Sequence, residues 1–272
     1  MPSAFFLAVD PGKRFCIHHS PAKGHEPVGS VVYVHPFGEE MNKSRRMAAL
    51  QSRRLAAEGF SVLQIDLHGC GDSSGDFADA RWQSWARDVK AAVHWLKERV
   101  NAPISLWGLR LGATLAAEVA CDPAMGIERL LLWQPVVNGA QFISQFLRLR
   151  LTGEMLAGGT ATTAVHELQS ALARGDSLEI AGYELHPELA SAIEHSNPAA
   201  MVPAVKQVSW IEVAADAALP MRPASRRVLD AWRAAGLETR AATVAGEPFW
   251  STLEITECEA LLATTTQAMR SP

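Results

Sequence analysis

Long apolar runs are missing from this 272-residue sequence, although hydrophobic residues make up 48% of it. No stretch approaches the roughly 18 to 20 uninterrupted apolar residues that a membrane-spanning helix requires. The opening segment MPSAFFLAVDPGKRF contains only a short apolar run, and no basic segment precedes that run as it would in a secretory signal. We therefore expect neither a membrane span nor a secretion signal.

Cysteine and excess positive charge are also scarce. The four cysteines (Cys16, Cys70, Cys121 and Cys258) are scattered without CxxC spacing, which argues against a disulfide framework or a cysteine zinc site. The formal net charge of -4 provides no basic excess for nucleic acid or an anionic membrane surface. We expect a cytoplasmic protein with reduced thiols, no cofactor, no metal ion and no nucleic-acid partner.

Strand-like and helix-like segments alternate along most of the chain. The continuous β-branched and apolar runs are typical of strands buried on both faces of a sheet. They lie at residues 30–34, 60–66, 104–108, 129–137, 208–214 and 239–244, and an opening hairpin is predicted from 4–9 and 14–19 around the turn DPGK. The alternation predicts an α/β fold with a mostly parallel central sheet, right-handed crossovers and helices on both faces.

The alternation stops at about Asn138, and residues 140–200 contain no strand run of comparable strength. We predict a core formed by residues 1–139 and 206–272, with a helical lid insertion at 140–205. Five apolar residues of the insertion are predicted to form either the inner face of the lid or a dimer contact: Phe142, Phe146, Leu147, Leu149 and Leu151.

The segment Gly108-Leu109-Arg110-Leu111-Gly112 lies between a buried strand and an alanine-rich helix. In that context the pattern G-x-S-x-G forms a nucleophile elbow, whose glycines allow a turn too tight for other side chains. Both glycines are present here, but arginine occupies the position of the serine.

These features together resemble the α/β-hydrolase superfamily over nearly the whole chain. VYVHPFG resembles the strand and oxyanion loop of that family, and DLHGCGDSSG resembles the glycine-rich loop after its next strand. A closer resemblance, carried by HPFGEEMNKSRR, GLRLGATLA and AGEPFW, is to the exosortase A system-associated hydrolases of type 2. It implies a bacterial protein associated with exosortase or exopolysaccharide machinery.

The resemblance implies a catalytic triad in the chain order nucleophile, acid, histidine. These positions are occupied by Arg110, by Asp216 after the strand VSWIEVA, and by Glu247 in the loop AGEPFW; no histidine follows His195. Arginine stays protonated and cannot replace the proton-accepting pair of serine and histidine. Ordinary serine hydrolysis at this elbow is therefore not expected.

An oxyanion hole is implied at the N–H groups of Phe37 and Leu111, and His35 is expected to hold the first loop by hydrogen bonding. Two roles for Arg110 stay open: binding an anionic or acyl small molecule, or pairing with Glu247 or Glu40. We weigh three functions: a pseudoenzyme that binds such a ligand, an ester, thioester or amide hydrolase with another nucleophile such as Cys70, and a structural partner of a second hydrolase.

Overall fold

A computed structural model describes residues 2–21, 26–156 and 165–270 of the chain. Eight strands form one sheet: β1 (Ser3–Ala8), β2 (Lys13–His19), β3 (Gly29–Val34), β4 (Phe60–Ile65), β5 (Ile104–Leu109), β6 (Ile127–Trp133), β9 (Gln207–Ala214) and β10 (Glu238–Ala245). Their order in the sheet is β1-β2-β4-β3-β5-β6-β9-β10. Only the pairings of β2 with β1 and β4 are antiparallel, so the sheet confirms the predicted class.

Helices cover both faces of the sheet and divide the core into two apolar clusters. The helices are α1 (Glu39–Ala57), α2 (Trp82–Lys97), α3 (Leu111–Val119), α4 (Gly139–Leu156), α5 (Val165–Arg174), α6 (Pro187–Glu194), α7 (Pro223–Ala234) and α8 (Glu259–Arg270). The first cluster lies against α2, α3 and α7, and the second lies against α1 and α8. Successive residues of β3 alternate between the clusters, with Val31 in one and Val32 in the other, because neighbouring side chains of a strand point to opposite faces.

The segment between β6 and β9, called the inserted segment below, contains α4, α5, α6 and a short hairpin of β7 (Leu178–Ile180) and β8 (Tyr183–Leu185). The hairpin differs from the purely helical segment that the sequence predicts, because three-residue strands are too short to show a period of two. Phe142, Phe146 and Leu147 are buried, whereas Leu149 is 52% exposed and does not contribute to an inner face. The side chain of Leu151 lies outside the described residues. Among the described residues, no helix is long and apolar enough to cross a membrane.

Candidate functional site

The turn between β5 and α3 is sterically closed to side chains at both glycines. A Cβ atom on Gly112 would lie 2.3 Å from the carbonyl oxygen of His35, and one on Gly108 would lie 2.4 Å from the Cα of Ala113. Real Cβ contacts are essentially never this short, so these two positions require glycine. The sequence pattern therefore corresponds to an elbow in which strand and helix approach each other as closely as their backbones allow.

Arg110 sits at the apex of this elbow with φ +56° and ψ -119°. A non-glycine residue in this region carries backbone strain and needs support from its surroundings. The support comes from hydrogen bonds: the N–H of Arg110 donates to the carbonyl of Trp133 at 2.9 Å, and its carbonyl accepts from Ala113 and Val136. The backbone therefore holds the arginine where the family places its nucleophile.

The side chain of Arg110 forms an ion pair with Glu40 in the first turn of α1. Its Nε donates to Glu40 Oε1 at 3.2 Å, and its Nη2 lies 3.2 Å from the same oxygen. The guanidinium carbon lies 5.4 Å from the ring centroid of Trp250, and the side chain is only 16% exposed. Of the two acids that the sequence offered as partners, the structure selects Glu40.

The other carboxylate oxygen of Glu40, Oε2, is buried and has no hydrogen-bond partner among the described residues. Burial raises the pKa of Glu40, while the positive charge and hydrogen bond of Arg110 lower it. The ion pair is therefore one-sided, since a single oxygen of the carboxylate receives both contacts from the guanidinium.

The loop between β3 and α1 is fixed by His35. Its Nδ1 bonds to the carbonyl of Pro36 at 2.7 Å, and its Nε2 accepts from the N–H of Leu67 at 3.1 Å. Burial lowers the pKa of His35, and the two partners require the neutral ring with its proton on Nδ1. His35 thus holds this loop against the one that follows β4.

Two backbone N–H groups next to Arg110 have no protein acceptor among the hydrogen bonds of the described residues. They belong to Phe37 and to Leu111, the first residue of α3. Such groups attract anions, because free N–H groups and the helix dipole both favour negative charge. They are the two N–H groups that the sequence assigns to an oxyanion hole.

Aromatic rings surround the side chain of Phe37 and fill the space beside the elbow. The rings within 6.1 Å of its centroid belong to Phe77, Trp85, Phe142 and Phe146. The apolar cavity left between this loop, α2 and α3 measures only about 10 Å³. A space of this size holds at most about one water molecule, so the cavity has no room for an acyl chain.

Neither Asp216 nor Glu247 forms an ion pair or hydrogen bond with Arg110 among the described residues. Asp216 is exposed, and its Oδ1 accepts from the N–H of Ala218 at 2.8 Å in a local turn. Glu247 is also exposed, and no ion pair joins it to Arg110 in the described part of the chain. The expected acid and histidine positions therefore add no group to the ion pair at the elbow.

Cys70, which the sequence offered as another nucleophile, is buried. Burial raises the pKa of its thiol, which opposes formation of a thiolate. Several polar residues of the loops and of the inserted segment also have structural contacts. Ser73 and Ser74 bond to the backbone of β2 and its neighbouring loops. His186 caps α6, and His195 bonds to the carbonyl of Ser191 at the end of that helix.

Sequence reasoning missed Glu212 and Arg222, which form a second ion pair at the carboxyl edge of the sheet. The Oε1 of Glu212 accepts from Nε and Nη2 of Arg222 at 3.1 and 3.0 Å, and also from the hydroxyl of Ser225. These bonds lower the pKa of Glu212 against the opposing effect of burial. A glutamate inside the otherwise apolar strand VSWIEVA was the signal that could have revealed it.

Arg110 and Arg222 line the same cleft, which has a volume of about 100 Å³. The remaining lining residues are Pro135, Val136, Val137, Asn138, Gln141, Phe142 and Gln145. No acidic residue lines this cleft among the described residues. Its lining therefore combines two arginines, three residues with side-chain amides and four apolar residues. Across the described part of the chain, no group of three or more His, Cys, Asp or Glu side chains is arranged to hold a metal ion.

The family described as serine aminopeptidase, S33, matches residues 25–221, which include the elbow and β9. The chain belongs to this family. The S33 match ends before β10 and the loop that contains Glu247. The chain is therefore an α/β-hydrolase family member. Its elbow carries Arg110 where the pattern has serine.

Individual proteins are similar to this chain over part or all of its length. The human protein ABHD12B is 30% identical over 131 residues, which cover 47% of this chain and 34% of that protein. The match thus spans about a third of the length of this curated relative. Est1E from Butyrivibrio proteoclasticus, solved with ferulic acid, has 20% identity and a TM-score of 0.71, covering 98% of both chains. An esterase from Pyrobaculum calidifontis has 18% identity and a TM-score of 0.63, covering 100% of this chain and 86% of that one. The two structures support the fold alone.

Proposed function

We propose that this S33-family protein is a pseudoenzyme that binds a small anionic or acyl ligand through Arg110 and does not hydrolyse it. The observation that carries the proposal is the guanidinium of Arg110, held by a strained backbone at the nucleophile position and lining a cleft beside two free N–H groups. A positive charge and free N–H donors at one point favour an anionic group.

Loss of hydrolysis follows from the chemistry of the groups present. A serine nucleophile needs a base that takes its proton and returns it to the leaving group, and arginine can do neither. No described histidine bonds to Arg110 or Glu40. The oxyanion hole and binding alone retain about 10³- to 10⁴-fold catalysis over water in a serine protease whose triad is removed, far below the rate of the intact enzyme.

The packing of the inserted segment supports a lid over this site. Phe142 and Phe146 of α4 contact the ring of Phe37, with centroids 5.6 and 5.0 Å apart. The hydroxyl of Tyr183 donates to the carboxylate of Glu39 at the start of α1, at 3.1 Å. We propose that residues 140–205 form this lid between the core parts 1–139 and 206–272.

The cellular setting of the proposal depends on the resemblance to exosortase A system-associated hydrolases of type 2. The motifs HPFGEEMNKSRR and GLRLGATLA contain Glu40 and Arg110, the two residues of the ion pair at the elbow. We therefore propose a cytoplasmic bacterial protein that serves exosortase or exopolysaccharide machinery. Co-purification of the tagged chain from its native host, with identification of bound proteins, tests this setting.

Fluorophosphonate labelling and a panel of p-nitrophenyl esters test the absence of hydrolysis. We expect no labelled serine and no turnover above the level of an Arg110→Met variant. A labelled serine in the wild-type chain, or turnover that Cys70→Ala removes, would overturn the pseudoenzyme proposal and favour a hydrolase with another nucleophile.

Calorimetric titration with acetate and phosphate tests binding. Arg110→Met should weaken the affinity for these anions at least about tenfold, and the exposed control Arg174→Met should leave it unchanged.

A further inference from the structure

Arg222 lines the cleft and is the residue that immediately precedes α7, the helix that follows β9. Its side chain is 45% exposed, and an ion pair with the buried carboxylate of Glu212 holds its guanidinium. Nε and Nη2 both donate to Glu212 Oε1, and the N–H of Arg222 donates to Oε2 at 3.2 Å. Both oxygens of the carboxylate are therefore engaged by the same residue.

Glu212 is itself held rigidly at the end of β9. Its side chain is 4% exposed, and the buried hydroxyl of Ser225 donates to its Oε1. A buried carboxylate whose partners are all fixed is a rigid support for the cation that it contacts. Glu212 contacts Arg222 but is not among the residues that line the cleft.

Glu40 at the other arginine differs from Glu212, because only one of its two carboxylate oxygens is engaged by its arginine. Glu40 contacts Arg110 through Oε1 and likewise does not line the cleft. The polar residues of the lining are thus two arginines and three residues with side-chain amides, and neither Glu40 nor Glu212 is among them. The cleft volume of about 100 Å³ exceeds the roughly 10–15 Å³ that a single water requires, so one compact charged group fits in it.

We infer that Arg222 is a second ligand-binding residue, that Glu212 and Ser225 are its positioning residues, and that the ligand places a compact oxyanion group, a carboxylate or a phosphate, between Arg110 and Arg222. This inference rests on the proposed function and adds to it the second cation and the class of ligand group. The apolar cavity beside the elbow measures only about 10 Å³ and is too small for an acyl chain. The inference therefore places the acyl part of any ligand outside the cleft.

Titration calorimetry with inorganic phosphate and with acetate, on the full chain at pH 7.5, tests the role of Arg222. We expect Arg222→Met to weaken binding of the anion about tenfold. Arg226→Met is the matched control, because Arg226 lies one turn further along α7 and lines a different surface depression with Asp230 and Ala241. The control should bind as the wild type does.

The Glu212→Gln variant tests whether Glu212 positions Arg222 or acts only through its charge, because the two roles predict opposite changes in anion affinity. Removing a negative charge close to the cleft would tighten anion binding if Arg222 stayed in place. The positioning role predicts weaker binding instead, by at least about threefold, because the amide does not hold the guanidinium as the carboxylate does. Ser225→Ala, which removes one hydrogen bond to Oε1, provides a milder second variant and should shift affinity in the same direction.

The outcomes distinguish failure of the inference about Arg222 from failure of the proposed function. Binding lost in Arg110→Met but unchanged in Arg222→Met, or tightened in Glu212→Gln, overturns the inference and leaves the proposed function standing. Wild-type protein that binds neither anion at 50 mM overturns both. Phosphate bound and acetate not bound assigns the phosphate class, and the reverse assigns the carboxylate class; either result supports the inference when Arg222→Met weakens it.

Discussion

Glu40 Oε1 receives both contacts from the guanidinium of Arg110, while Glu40 Oε2 is buried without a partner. The carboxylate therefore competes with any anion for Arg110, but only with one of its two oxygens. An anionic ligand has to displace this contact or add to the remaining N–H donors of the guanidinium. The affinity of the cleft should thus depend on how strongly Glu40 holds the arginine.

Glu40→Gln is expected to tighten anion binding by about threefold to tenfold, because a neutral amide competes less well for Arg110. The same change should lower the free energy of unfolding by about 1–3 kcal/mol, since it leaves a largely buried guanidinium without its counter-charge. Calorimetric titration with phosphate and urea unfolding measure the two effects.

The control for this variant is Glu39→Gln, the preceding residue of α1, which bonds to Asn42 and Tyr183 at the surface. It should change anion affinity by less than about twofold. Weaker binding in Glu40→Gln would contradict the view that this acid competes with the ligand.

The glycines of the elbow give a prediction about stability. Gly112→Ala should lower the free energy of unfolding by at least about 2 kcal/mol, because its Cβ would strike the backbone at His35, which cannot move aside as a side chain would. Gly182→Ala is the comparison, since no atom lies within 4 Å of its Cβ and its cost arises only from a φ of +82°. Equal losses in the two variants, measured by urea unfolding, would show that the elbow is looser than the structure indicates.

The strands of the core could be predicted from sequence because burial on both faces demands continuous apolar runs, as in Val31 to Val34 of β3. The elbow could be predicted because only glycine fits at two of its positions. The partner of Arg110 could not be predicted. Glu40 and Glu247 are both glutamates far from Arg110 in the sequence, and only the placement of α1 in the fold decides between them. The pair of Glu212 and Arg222 joins two elements across ten residues, a contact that no local period reports.

Arg14 and Asp88 form a buried ion pair that joins β2 to α2. Nε of Arg14 donates to Asp88 Oδ1 at 2.7 Å, while Asp88 Oδ2 accepts from the N–H of His68, and both side chains are at most 1% exposed. Asp88→Asn should therefore lower the free energy of unfolding by about 3–5 kcal/mol, because it leaves the Arg14 charge uncompensated in the core.

Replacing both partners provides the check on this interpretation. Arg14→Met combined with Asp88→Leu should cost less than Asp88→Asn alone, because the apolar pair leaves no buried charge. Asp230→Asn removes an exposed pair with Arg233 and should change stability by less than about 1 kcal/mol. If the double variant is less stable than the single one, hydrogen bonding by Asp88 outweighs the cost of burying the charges.

The pH dependence of stability should report on the buried histidines. Burial lowers the pKa of His18, of His35 and of His68, and it lowers that of His19 to about 4. Between about pH 4 and the unperturbed value near 6.5, the unfolded chain binds more protons at these residues than the folded chain does. The histidines therefore reduce the free energy of unfolding as pH falls through this window.

His19→Gln should flatten that dependence, because it removes the histidine for which the shift extends to about pH 4. The comparison between variants is the decisive measurement, since burial raises the pKa of Glu40 and Asp88 and so acts in the opposite direction over part of the same range. Urea unfolding at half-unit steps from pH 4 to 7 gives the slopes. Identical slopes for His19→Gln and wild type would mean that His19 binds its proton equally well in the folded and the unfolded chain, which contradicts the burial of its ring beside Gln64 in the structure.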